Sequence, residues 1–86
     1  MESKEERLER IQRVTQKAWN TFHATPEISE VSKQFFEEAL KLSEIEFWSG
    51  NWCNIPHNEN EQVYWLQQYW MFISDKILEK IEKEKK

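Results

Sequence analysis

Pro26, Gly50 and Pro56 are the chain's only prolines and glycine, and they interrupt it at just two places. A sheet protein needs turn residues every ~8–12 positions, which two breaks in 86 residues cannot supply. Between the breaks Lys, Glu, Gln and Leu are abundant, and these side chains lose little freedom in a helix. The fold class expected is all-α: a three-helix up-down-up bundle with helices at roughly 4–22, 26–49 and 59–83. Short connections favour antiparallel neighbours. Residues 1–86 are read as a single domain, with 82–86 as a charged, frayed tail.

Apolar spacing supports each segment. In the first, Leu8, Ile11, Val14, Ala18 and Phe22 keep the 3.6-residue period, with Trp19 on the flank. Glu6–Arg10 and Glu9–Arg13 stand four apart in the favourable order. In the second, Thr25 before Pro26 and Glu27 is an N-cap signal. Its stripe runs Ile28, Val31, Phe35, Ala39 and Leu42, with Phe36, Leu40 and Phe47 beside it, and Gly50 stands where a left-handed terminal residue belongs. In the third, Asn58 with Glu61 resembles a capping box, and Val63, Leu66, Trp70, Ile73, Ile77 and Ile81 make a core seam.

A chain this short buries only roughly 60–65% of its unfolded surface. It lacks the material for a deep cleft with a supporting shell, so no catalysis is expected. Formal charge is −4 and uneven: residues 24–62 set eight acidic side chains against two basic ones. Phosphates would be repelled there, so nucleic acid is not an expected partner. Residues 1–20 carry charges throughout and no apolar run, which is not a secretion signal. No stretch is apolar enough for a membrane span, and the single Cys53 fits a reducing compartment. A cytoplasmic protein is expected.

The segment from Phe47 to Trp70 holds four of the five tryptophans, the only glycine and the only cysteine. The third helix also has apolar flanks outside its seam: Trp65, Tyr69 and Phe72 on one side, Tyr64, Met71 and Leu78 on the other. Two neighbours shelter about half of a helix's circumference, and a helix apolar nearly all round must be covered nearly all round. Trp48, on the otherwise polar side of the second segment, is the ring hardest to place in a core. Trp48, Trp52, Trp65, Tyr69 and Phe72 are therefore the candidate partner-binding residues, since Trp and Tyr dominate interface hot spots. The alternative for the rings near the loop is a small core that pins it.

Chemistry is sparse. Cys53 and His57 are four apart, but a structural zinc site wants four ligands and only one further histidine, His23, exists; no metal and no cofactor are implied. A Cys53–His57 nucleophile–base pair has no identifiable oxyanion donors or orienting group. Arg10, Arg13 and Lys17 form a basic row that is a candidate contact for a small anion, diluted by Glu6 and Glu9. The first functional expectation is a non-catalytic regulator or inhibitor that binds a larger protein through its Trp/Tyr-rich surface and assembles as a homodimer or higher. The alternative is an oligomeric protein sequestering a nucleotide-like anion by stacking and charge. A second alternative is a metal-binding or hydrolytic protein using Cys53 and His57.

Overall fold

The computed structural model describes residues 2–84, which form four α-helices and no strand. Helix α1 spans Lys4–Phe22, α2 Pro26–Ser29, α3 Ser32–Leu42 and α4 Glu59–Glu84, with a π-helical segment at Ser43–Phe47 after α3. The molecule measures 48 × 22 × 21 Å. The all-α class and the outer two segments agree with the sequence. The continuous second helix does not.

Helix α1 starts where its chemistry favours a start. The Glu6 N–H donates to Ser3 Oγ at 3.1 Å, and Glu5 and Glu6 meet the positive end of the helix dipole. The second segment breaks twice. Ser29 Oγ donates to the Pro26 carbonyl at 2.9 Å, competing for an acceptor that the next helical turn would use. Val31 then leaves helical geometry at φ −123°, ψ 23° before α3 begins.

The second break has a packing cause. At about 100° per residue, an unbroken helix would aim Glu46 along the stripe of Ile28, Phe35 and Ala39 and turn Phe47 aside. Instead the Trp48 N–H donates to the Ser43 carbonyl five residues back, at 2.8 Å. One extra residue in that turn sets the later side chains back by about 100°. Phe47 and Trp48 swing into the core and Ile45 is left outside. Gly50 comes next at φ +84°, the left-handed conformation expected of it.

Helix α4 follows Asn58, whose Oδ1 accepts from the Asn60 N–H at 2.8 Å rather than from Glu61 as a capping box requires. It runs through Glu84, which takes in the first residues of the charged tail; Lys85 and Lys86 lie outside the described residues. Leu66, Trp70, Ile73, Ile77 and Ile81 are buried along one seam, with Val63 partly so. Contacts of α1 with α4 climb together, from Arg13–Glu59 to Ala18–Gln67, so these helices run in the same sense. Those of α3 and the π segment descend, from Glu38–Lys80 to Glu46–Tyr69, so that part of the chain runs the other way.

Trp70, fully buried, joins the layers. Its ring meets Phe22 at 5.4 Å, Trp19 at 5.9 Å and Phe36 at 6.3 Å between centroids, all edge to face. Its indole N–H donates to Ser43 Oγ at 2.9 Å, and Ser43 Oγ donates to the Ala39 carbonyl at 2.6 Å. Ser43→Ala should therefore orphan a buried donor and destabilise the fold by about 1–3 kcal/mol. In a Trp70→Phe background the same change should have less than about 0.5 kcal/mol of effect. Urea unfolding of the four-protein cycle measures both, and equal effects in the two backgrounds would show that the bond contributes nothing.

Candidate functional site

The five candidate rings divide between core and surface. Tyr69 is fully buried and Trp48 is 8% exposed, so neither is open to a partner. This corrects the expectation for Trp48, and the reason is the π turn, which rotates it off the polar side. Trp52 is half-buried, edge to face with Tyr69 at 5.4 Å and with Trp65 at 6.0 Å. Phe47 lies against Trp48 at 4.8 Å and Tyr69 at 6.1 Å. The rings around the loop are thus a small core that pins it. Two hydrogen bonds help: Arg7 donates to the Trp48 carbonyl at 3.0 Å, and the buried Gln62 Nε2 donates to the Pro56 carbonyl at 2.8 Å.

Tyr69 Oη donates to Glu46 Oε2 at 3.1 Å. Burial, and then the adjacent carboxylate, push the phenol well above the ordinary tyrosine range. Trp48 and Tyr69 are therefore structural side chains.

Trp65 and Phe72 remain on the surface, at 40% and 67% exposure, and they are not alone: Tyr64 is 55% and Met71 60% exposed. All four belong to α4, in two pairs seven residues apart. Their face is crossed lengthwise by exposed Glu61 and Asp75 with half-buried Gln68 between them. Tyr64 and Trp65 meet edge to face at 5.6 Å. Met71 also overlooks a cavity of about 610 Å³ between the end of α1, α2 and α4. Tyr64 and Met71 were not among the candidate residues, although their seven-residue spacing on the second flank of α4 was the available signal.

Two members of the basic row are taken by the chain's own acids, while Lys17 is exposed and in no ion pair among the described residues. Arg10 grips Glu2 with two bonds of 2.8 and 3.0 Å, and Arg13 meets Glu59 at 2.7 Å. Bonding to Arg13, with the fields of Arg13, Lys17 and Arg10, holds the Glu59 carboxyl below its usual range. Next to this row a groove of about 780 Å³ opens between α1 and α3 over Ile11, Phe36 and Leu40, but Glu9 and Glu44 stand among its lining residues. Of the row's three charges, those of Arg10 and Arg13 are engaged by Glu2 and Glu59, and that of Lys17 stays open.

Cys53 is half-buried and His57 exposed. Burial pushes the Cys53 thiol up, which keeps it protonated and a weak nucleophile at neutral pH. Among the described residues no group of three or more His, Cys, Asp or Glu side chains could hold a metal ion, and no helix is long and apolar enough to cross a membrane. The chain matches no protein-family model, no curated protein and no solved structure.

Core and surface rings should separate on truncation. Trp48→Ala is expected to destabilise by about 3–5 kcal/mol and Phe72→Ala to stay within about 0.5 kcal/mol of wild type; denaturant midpoints decide, and equal losses would place both rings in one environment. Tyr69 also sets an alkaline limit. Its folded form resists ionisation while the unfolded phenol titrates at about pH 10, so its stabilising effect is complete below that pH and lost as pH rises beyond it. The urea midpoint should fall more steeply between about pH 9 and 11 in wild type than in Tyr69→Phe. Lys80, whose ammonium Glu38 holds above its ordinary range, weakens both proteins alike, so the difference between them reports Tyr69.

Proposed function

We propose that this chain is a non-catalytic helical protein-binding module, a small cytoplasmic regulator or inhibitor that docks on a larger protein through the outer face of α4 and also assembles with itself. The observation that carries the reading is the exposure of Tyr64, Trp65, Met71 and Phe72 together on one helix. Monomeric proteins scatter single apolar side chains over their surface, whereas here two exposed pairs flank the polar row of Glu61, Gln68 and Asp75 on one helix, and such clustering marks an interaction site. Trp, Tyr, Phe and Met are the residue types enriched in the buried centres of such contacts.

Mechanically, Trp65 is suited to be the anchor. It is packed from behind by Trp52 and from the side by Tyr64, so it loses little freedom when a partner covers it. Phe72, two turns on, stands apart from these rings and supplies area. Glu61 and Asp75 set orientation rather than affinity. The small core behind the loop is what holds Trp65 outward.

The test is site-directed photo-crosslinking in the native host. A photoreactive side chain replacing Phe72 should give discrete adducts, and one replacing the exposed Lys33 at the start of α3 should not. Adding Trp65→Ala should remove the adducts without changing helicity. Equal yields at the two positions would remove the reading.

A further inference from the structure

The outer face of α4 carries charges whose order along the helix matches a second copy of itself. Glu61, Trp65, Gln68, Phe72 and Lys76 lie four, three, four and four residues apart, spacings that keep them on one side of a helix. Glu61 and Lys76 are exposed, and neither makes an ion pair among the described residues. They are equally far from the midpoint between Trp65 and Phe72: Glu61 four residues before Trp65, Lys76 four after Phe72.

We infer that two copies of the chain pair through α4, antiparallel, about a two-fold axis passing between Trp65 and Phe72. This rests on the reading of that face as a binding surface and names its occupant. A two-fold contact is self-complementary: if one residue meets another, the reverse contact is made as well. In this arrangement Trp65 of each copy meets Phe72 of the other, and Glu61 of each meets Lys76 of the other. Two ring contacts and two opposite-charge contacts come from a single operation. The helix dipoles also oppose, so unlike ends lie together.

The charges select the register. Sliding one helix by a single position sets Glu61 against Asp75 of the other copy, and sliding it by three sets Glu61 against Glu79. Both place like charges opposite each other at two symmetric points, which penalises the wrong alignment. Area is consistent with the same occupant. At about 200 Å² per large side chain, the exposed fractions of Tyr64, Trp65, Met71 and Phe72 leave roughly 450 Å² open. Against the ~800 Å² per partner of a stable interface, these four side chains supply just over half, and the Glu61 and Lys76 rim adds to it.

Sedimentation equilibrium on the full chain and four variants tests the arrangement. Wild type should dimerise. Glu61→Lys and Lys76→Glu, each placing two like-charge pairs in the contact, should weaken the dimer by about tenfold or more. The double exchange E61K/K76E should return it to within about threefold of wild type. Both positions are exposed, so helicity should not change, and circular dichroism on each variant checks this. A wild type that stays monomeric to about 1 mM overturns the pairing, with docking on a larger protein still judged by crosslinking at position 72. A dimer lost in Phe72→Glu but indifferent to both charge reversals overturns the register while the binding face stands. A dimer indifferent to Phe72→Glu as well removes both.

Discussion

An indole N–H buried beyond the reach of water must have a partner, and for Trp70 that partner is Ser43. Much of the architecture depends on this bond. It holds α4 against the end of α3 at the residue where the chain changes from α- to π-helical hydrogen bonding. Ser43 Oγ in turn donates to the Ala39 carbonyl, so the joint is satisfied on both sides. Had the chain continued as an α-helix, a carboxylate would face the core in place of a phenylalanine. The π turn is therefore the local irregularity that lets the global apolar pattern close, a common role for such turns.

Closing that pattern also produces the surface. Once Phe47 and Trp48 turn inward, Phe47 packs on Tyr69 and on Trp52, and Trp52 backs Trp65. The loop is held by rings and by Gln62 rather than by regular structure. Helix α4 is left covered by α1 on one side and by α3 with the π segment on the other. Its third side keeps Tyr64, Trp65, Met71 and Phe72 in solvent. The excess of apolar perimeter over available neighbours, visible in the sequence, is real but smaller than the count of rings suggested. Part of the surplus went to pinning the loop.

Charge behaves the same way. Arg10 and Arg13 read as a free basic row when α1 is considered alone. In the fold, Arg13 meets Glu59, 46 residues away, because α1 and α4 run in the same sense with the first turn of α4 beside the middle of α1. Arg10 is taken by Glu2, eight residues back. Glu61 and Lys76, in no ion pair among the described residues, lie on the face that is also apolar, so these open charges and the open rings share one surface.

The sequence by itself determined the all-α class, the limits of α1, the start of α4, its core seam and the left-handed Gly50. Each of these depends on neighbours within about one or two helical turns, where propensity, capping and periodicity act. It also located two of the exposed rings, Trp65 and Phe72, since an outer position on a regular helix is legible from spacing. Tertiary structure alone decided the π turn at Ser43, the burial of Trp48 and Tyr69, and the pairing of Arg13 with Glu59. A single extra residue in one turn shifts every later side chain by about 100°. That shift is set by which rings the core of α4 can accept, a contact between segments far apart in the chain that no local pattern encodes.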